Sequence, residues 1–146
     1  MDEIDSEILN LLRENGRASF ASIGERVGLS PHGTADRVRR LQRDGVIKGF
    51  TTVVDPGSVG RGLDAFIDVR LAASADPEGF ERHVGTLPAV RELAFLTGRF
   101  DYLVRVACHD ADELDRTVRS IRRDAGAAQT ETRIVMRSAS FSRQLG

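Results

Sequence analysis

The chain has 146 residues, with 21 lysine and arginine side chains against 22 aspartates and glutamates, and a formal charge of −1. This length allows one ordinary domain or two small ones, and the charge balance excludes a protein that binds polyanions over its whole surface. No apolar run approaches the roughly 20 residues of a membrane span, and Met1 to Asp5 lack the cationic and apolar blocks of a signal peptide. We therefore expect a cytoplasmic protein in which any contact with nucleic acid is local.

Two short helices are predicted at the start of the chain. Asp2 suits the positive N-terminal end of the first helix, which should end near Asn15-Gly16. Ser19 is the predicted cap of the second helix, and Gly28-Leu29 forms a tight turn after it. The inward-facing residues follow helical spacing: Ile4, Ile8, Leu11 and Leu12 in the first helix, and Phe20, Ile23 and Val27 in the second.

A third helix, predicted from about Pro31 to Asp44, has one packed and one charged side. Ser30 can cap its first turn, and Gly45 permits a left-handed exit. The predicted packed side consists of Ala35, Val38, Leu41 and Gln42, and the other side of Gly33, Asp36, Arg37, Arg40 and Arg43. Because the turn before it is so short, this helix completes a helix-turn-helix, whose last helix enters a DNA major groove.

The segment Ser30–Lys48 contains five cations and two acids, a local net charge of +3. The predicted base-reading residues are His32, Gly33, Thr34, Asp36, Arg37 and Arg40, and those predicted to contact phosphates are Arg39, Arg43 and Lys48. Ser30 is also predicted to belong to the DNA-binding surface. The alternative is a solvated helix face, in which His32 caps the turn and Asp36 holds Arg37.

The residues after Gly45 predict a small β wing. Val46 to Val54 is rich in β-branched residues, contains a turn glycine, and is stopped by Asp55-Pro56-Gly57. The next stretch, up to Gly62, has the composition of a linker. We therefore predict a winged helix-turn-helix domain over residues 1–54, a linker over 55–62 and a second domain over 63–146.

The second domain is predicted to be a ferredoxin-like βαββαβ unit, which makes the whole chain α+β. The predicted elements are an alternating strand over Leu63–Leu71, a helix from Asp76-Pro77 to Pro88, strands over Ala89–Thr97 and Tyr102–Ala107, a helix beginning at Asp110 or Asp112, and a strand over about Gln129–Met136. Both helices cover one face of the sheet. Apolar residues on the other face predict sheet-to-sheet dimerisation, and the lone Cys108 is predicted to be buried.

Five short motifs are spread over the first half of the chain: Arg17-Ala18-Ser19, Val27-Gly28-Leu29-Ser30, Arg37-Val38-x-Arg40-Leu41, Asp44-Gly45-Val46-Ile47 and Gly49-Phe50-Thr51. Together they resemble the Lrp/AsnC family of feast/famine regulators, and the resemblance continues to the far end of the chain. It implies a sequence-specific DNA-binding transcriptional regulator that responds to a small molecule, usually an amino acid. It also implies homodimers that often assemble into tetramers or octamers.

The bend Thr97–Tyr102 is the candidate effector site. Gly98 leaves backbone amides accessible, Arg99 can pair with a carboxylate, and Asp101 can accept from an ammonium group. The alternative is an ordinary hairpin bend in which Asp101 caps its own backbone. The resemblance implies that Gly98, Asp101 and Tyr102 belong to the family's ligand-binding hairpin, with Arg99 at a variable position. It also suggests Thr132 and Ile134 as pocket wall, for which plain sheet packing is the alternative.

Two other functions remain open. Siroheme decarboxylases have a similar architecture, so the fold alone does not forbid an enzyme. However, His32, His83 and His109 are dispersed and Cys108 has no ligand partner, so we predict no catalytic or metal site and no cofactor. The third possibility is an architectural protein that coats DNA and ignores metabolites.

Overall fold

The computed structural model describes residues 1–141 and divides them into two compact units. Unit 1 contains Met1–Val53 with residues 139–141, and unit 2 contains Val54–Ser138. Residues 142–146, which we assigned to the second domain, lie outside the described residues. None of the helices in residues 1–141 is long and apolar enough to cross a membrane.

Unit 1 consists of three capped helices. They are α1 (Glu3–Glu14), α2 (Phe20–Val27) and α3 (Pro31–Arg43), close to the predicted limits. The predicted caps are present: the carboxylate of Asp2 accepts from the backbone of Asp5, and Ser19 and Ser30 accept from backbone amides one turn later. Gly28, at the end of α2, has a positive φ of 72°, which lets the chain turn at once into α3.

The core of unit 1 differs from the prediction at two positions. Ile8, Ile23 and Val38, one from each helix, form its centre. Thr34 is the fourth buried residue of α3, together with Ala35, Val38 and Leu41, whereas Gln42 is exposed. Phe20, which was predicted to face inward, is 39% exposed. Both errors lie at the edge of the apolar stripe, where helical spacing alone does not decide which neighbour is covered.

The predicted β wing is not formed. Residues 46–54 contain no strand, and the amides of Val46 and Ile47 both donate to the carbonyl of Leu41, at 2.9 and 3.0 Å. The side chain of Val53 is 95% exposed, and Phe50 is also exposed. A β-branched sequence becomes a strand only when another strand satisfies its backbone, and residues 1–141 supply no such partner for this segment.

Residues 55–62, the predicted linker, belong to unit 2. A short 3₁₀ turn spans Gly57–Val59. The guanidinium of Arg61 donates to the carbonyl of Ala107 at 3.0 Å and to Glu113 at 3.1 Å. The ring of His109 contacts the carbonyl oxygen of Gly60 at 2.6 Å. These contacts fasten the end of the segment to the body of unit 2.

Unit 2 has the predicted βαββαβ order. Its elements are β1 (Leu63–Leu71), α4 (Pro77–Gly85), β2 (Val90–Phe95), β3 (Tyr102–Cys108), α5 (Ala111–Asp124) and β4 (Ala127–Ile134). The four strands form an antiparallel sheet in the order β2-β3-β1-β4. Asp110 caps α5, which decides between the two predicted starts. The last strand begins and ends two residues earlier than predicted.

The two faces of the sheet have different chemistry. Both helices pack on the inner face, where Ile67, Val104 and the predicted buried Cys108 belong to one apolar core. The other face, which we predicted to be apolar, carries ion pairs between Arg105 and Asp64 and between Arg133 and Asp68, each at 2.8 Å. The guanidinium of Arg105 also lies 5.3 Å from the ring centre of Phe66. This face is therefore mixed, because strand alternation placed charged partners opposite one another.

Candidate DNA and effector sites

The exposed side of α3 presents a compact set of polar groups. His32, Asp36, Arg39 and Arg43 are exposed, Gly33 is partly exposed, and Lys48 is exposed beyond the end of the helix. Asp36 accepts from Arg39 at 3.1 Å, and its second oxygen lies 3.3 Å from Nε2 of His32. Asp36 therefore contacts two neighbouring donors on its own helix, and the predicted alternative contact with Arg37 is wrong.

Two of the predicted DNA-binding residues serve the start of α3 instead. The hydroxyl of Ser30 accepts from the amide of Gly33 at 3.0 Å. The side chain of Thr34 is fully buried, and its hydroxyl donates to the carbonyl of Ser30 at 3.0 Å. The predicted base contact of Thr34 is therefore wrong, because this side chain packs inward at the junction with α2. A Cβ on Gly24 of α2 would lie only 3.0 Å from that hydroxyl oxygen.

Arg37 and Arg40 bind carboxylates of α1. Nη1 of Arg37 donates to Asp2 at 2.6 Å and to Asp5 at 2.9 Å. Nη2 of Arg40 donates to both oxygens of Asp5, at 2.7 and 2.8 Å. The predicted base contacts of Arg37 and Arg40 are therefore corrected: in this structure both guanidiniums join α3 to α1. We call these four side chains the Asp5 cluster.

Asp5 is the central acceptor of this cluster, and the sequence interpretation did not predict its contacts. Its side chain is 1% exposed, and the spacing Asp2-x-x-Asp5 is that of a capping box, which was the available signal. Burial opposes ionisation of Asp5, but hydrogen bonds from the Asp2 amide and from Arg37 outweigh it and lower its pKa. Arg37 also lowers the pKa of Asp2 to about 2. Both carboxylates are therefore charged at neutral pH.

The bend between β2 and β3 is fastened to the end of β1. The carboxylate of Asp101 accepts from the amide of Leu71 at 2.7 Å, and the guanidinium of Arg70 donates to the carbonyl of Arg99 at 2.8 Å. Gly98 is exposed with a φ of 108°, and the guanidinium of Arg99 lies 5.7 Å from the ring centre of Phe100. Asp101 therefore caps the backbone of a neighbouring strand, while Gly98 and Arg99 stay accessible.

Tyr102 does not face solvent. Its side chain is fully buried, and its hydroxyl donates to Glu81 of α4 at 2.7 Å. Its ring lies 4.5 Å from that of Phe80. Burial, together with the hydrogen bond to Glu81, raises the pKa of Tyr102 to about 12. The prediction that the Tyr102 side chain contacts an effector is therefore corrected, because β-strand alternation points it into the core.

Thr132 and Ile134 lie apart from the bend within one copy of the chain. They are exposed on β4 and pair with Ile67 and Ala65 of β1. Tyr102, at the foot of the bend, pairs with Val69, and β1 separates β3 from β4. One chain therefore does not bring these predicted residues together in one cavity. Within residues 1–141, no three metal-ligating side chains converge.

Both units of the chain match known protein families. Residues 1–42 match the AsnC-type helix-turn-helix domain, and residues 64–145 match the Lrp/AsnC ligand binding domain. The chain is 38% identical to the HTH-type transcriptional regulator AldR of Mycolicibacterium smegmatis, over 92% of this chain and 81% of that protein. It is 34% identical to the leucine-responsive regulatory protein of Escherichia coli K12, over 99% of this chain and 90% of that protein.

A solved structure also matches the whole chain. It is a transcriptional regulator of Neisseria meningitidis in complex with L-Met, with a TM-score of 0.91 and 30% sequence identity, and the match covers 100% of this chain and 96% of that one. The agreement extends over both the three-helix unit and the four-stranded sheet. The chain therefore belongs to the Lrp/AsnC family of DNA-binding transcriptional regulators, with an N-terminal helix-turn-helix and a C-terminal ligand-binding domain.

Proposed function

We propose that the α3 outer face, formed by His32, Gly33, Asp36, Arg39 and Arg43, contacts operator DNA. The observation that carries this proposal is the division of α3 into a packed side and an exposed polar side within a helix-turn-helix unit. The residues near its N-terminal end are suited to base edges, and Arg39, Arg43 and Lys48 to phosphates. Ser30 and Thr34 support this face through capping and packing.

Salt dependence tests this assignment. Arg43→Ala and Lys48→Ala should each weaken binding to all duplexes and reduce the slope of log affinity against log salt by about 0.9, because each removes one phosphate contact. Arg119→Ala, which removes an exposed arginine of α5 in unit 2, is the matched control and should leave the slope unchanged. If Arg43→Ala and Lys48→Ala both kept the wild-type salt slope, the proposed orientation of α3 would be contradicted.

We further propose that a free amino acid is the effector and that it binds at a contact between subunits. The relative solved with L-Met supports the ligand class, and the accessible Gly98 and Arg99 support the place. One copy keeps Thr132 and Ile134 away from the bend, so a complete pocket needs a second copy. Calorimetry with the twenty amino acids should identify a ligand whose affinity falls in Arg99→Ala but not in Arg91→Ala, an exposed arginine of β2. Equal affinity in both variants would remove Arg99 from the site.

We also propose that the chain forms a homodimer that assembles into tetramers or octamers, through apolar groups at the surface of each unit. The outer face of the sheet carries the half-buried Phe66 among ion pairs. The segment 46–54, which forms no strand, exposes Phe50 and Val53. Val46 and Phe50 also line an open apolar groove of about 540 Å³ beside Leu9 of α1. Light scattering should give at least twice the mass of one chain. A dilute monomer with full secondary structure would contradict this assembly.

We propose a regulator without catalytic activity that acts in the cytoplasm. The three histidines contact protein groups: His32 lies beside Asp36, His83 contacts Ser120 at 2.9 Å, and His109 contacts a backbone carbonyl. Footprinting with and without amino acids separates the alternatives. Discrete protected sites that respond to a ligand support the proposal, diffuse coating indicates an architectural protein, and absent protection with tight tetrapyrrole binding indicates an enzyme.

A further inference from the structure

We infer that Asp5 restrains Arg40 and Arg37 and so keeps the affinity of this protein for non-operator DNA low. The inference rests on the proposed function, in which the outer face of α3 lies against the duplex. Arg40 follows Asp36 by four residues and precedes Arg43 by three, so its backbone position belongs to that same face. Its guanidinium nevertheless binds the buried carboxylate of Asp5 on another helix.

The carboxylate of Asp5 is fully occupied. It accepts two hydrogen bonds from Arg40, one from Arg37 at 2.9 Å and one from the amide of Asp2 at 3.1 Å. A carboxylate offers about four acceptor positions, so this set uses its capacity. Asp5 and Asp2 also balance the two arginines charge for charge. The Asp5 cluster therefore adds no net positive charge to the surface of unit 1.

A phosphate group would compete for the same guanidiniums. Phosphate and carboxylate both match the planar donor set of arginine. The side chain of Arg40 is 43% exposed, so a phosphate could reach it once Asp5 no longer accepts its hydrogen bonds. Such contacts follow the backbone of any duplex and carry no sequence information. Asp5 therefore acts as a positioning residue that keeps two cations from contacting DNA indiscriminately.

The test compares Asp5→Asn with Glu7→Gln in the full-length protein. Both remove one negative charge from α1, but Glu7 is exposed and lies outside the cluster. Fluorescence anisotropy measures binding to a non-operator duplex from low to high salt. We expect Asp5→Asn to bind this duplex more tightly and to steepen the salt slope by about 0.9 for each arginine that gains a phosphate. Its preference for operator over non-operator DNA should fall, and Glu7→Gln should retain the wild-type slope.

A second variant identifies the released group. Asp5→Asn combined with Arg40→Gln should have a slope about 0.9 shallower than that of Asp5→Asn alone, because Arg40 can no longer contact a phosphate. A purely structural role for Asp5 predicts a lower melting temperature and weaker binding to every duplex with no steeper slope, and that result overturns the inference. If Asp5→Asn does not fold, Arg40→Gln alone replaces it. Because Asp5 holds Arg40 away from phosphates in the wild type, this variant should keep the wild-type salt slope. A slope that is shallower by about 0.9 overturns the inference.

The wild-type measurements separate this inference from the proposed function. If wild-type protein binds no duplex, or if Arg43→Ala and Lys48→Ala leave its salt slope unchanged, the proposed orientation of α3 fails and the inference falls with it. If wild-type protein prefers operator DNA and only the Asp5→Asn slope stays at the wild-type value, the proposed function stands and the inference alone is wrong.

Discussion

Replacing Tyr102 with phenylalanine should destabilise unit 2 and leave effector binding unchanged. The side chain of Tyr102 is fully buried and its hydroxyl donates to Glu81, so the hydroxyl is not available to a ligand. Phenylalanine keeps the ring and its contacts with Phe80 and Phe95, at centroid distances of 4.5 and 5.0 Å. The variant therefore removes one hydrogen bond and creates no large cavity.

The size of the effect follows from the surroundings of that bond. A hydrogen bond to a charged group contributes about 1.5–3 kcal/mol to stability. Because Glu81 is exposed and water can rehydrate it after the change, we expect a loss at the lower end, about 1.5 kcal/mol. Urea unfolding followed by circular dichroism measures the free energy of unfolding, and calorimetry measures effector affinity. A double-mutant cycle with Glu81→Gln isolates the bond itself.

The pH dependence of stability gives an independent check. The folded protein raises the pKa of Tyr102 from 10.0 to about 12, so folding favours the neutral phenol. This contribution is present below about pH 10 and is lost as the pH rises through about 12. Tyr102→Phe should lack that loss. Reduced effector affinity with unchanged unfolding energy would refute the reasoning, since it would place the hydroxyl at the ligand.

Three further changes test the remaining geometry. Gly24→Ala places a Cβ 2.4 Å from a backbone carbonyl oxygen, so it should lower the unfolding free energy of unit 1 by about 2 kcal/mol or more and weaken operator binding in gel-shift assays. Its control, Gly85→Ala in α4, meets no atom within 4 Å and should be neutral or stabilising. Asp101→Ala leaves the amide of Leu71 without its acceptor, which should cost about 1–3 kcal/mol, accelerate hydrogen exchange of that amide and weaken effector binding. Inserting five base pairs between operator half-sites should abolish paired binding, since about 10 base pairs make one turn of DNA.

Local rules explain what the sequence could predict. Ser30, Pro31 and Gly45 act within one helical turn, so the limits of α3 followed directly from them. Strand alternation likewise predicted the strand over Leu63–Leu71, and its Ala65, Ile67 and Val69 lie in the core. The prediction of a β wing was wrong because it depended on a distant partner. The β-branched residues indicate that one segment favours a strand, but they do not show whether a second strand pairs with it.

The side-chain contacts at both candidate sites could not be predicted, because they join distant parts of the chain. Arg40 meets Asp5 across 35 sequence positions, and no spacing rule within α3 indicates that pairing. Tyr102 matched a family motif, yet its hydroxyl reaches Glu81 on α4. A motif identifies which residue types occur together, whereas the direction of each side chain depends on the strand register and on the facing helix. The motif therefore indicated which residue types lie at the bend, but not which contacts their side chains make.

Under the proposed function, the Asp5 cluster also gives a physical reason for assembly to strengthen DNA binding. Five cations and two acids gave the segment Ser30–Lys48 a predicted charge of +3, but two of the arginines are neutralised within unit 1. The exposed remainder is Arg39, Arg43 and Lys48 against Asp36 and Asp44, a net charge of +1. So small a charge gives one copy little non-specific affinity. Paired helices gain affinity from each other's proximity, so an effector that alters the spacing of subunits can control DNA binding without contacting α3.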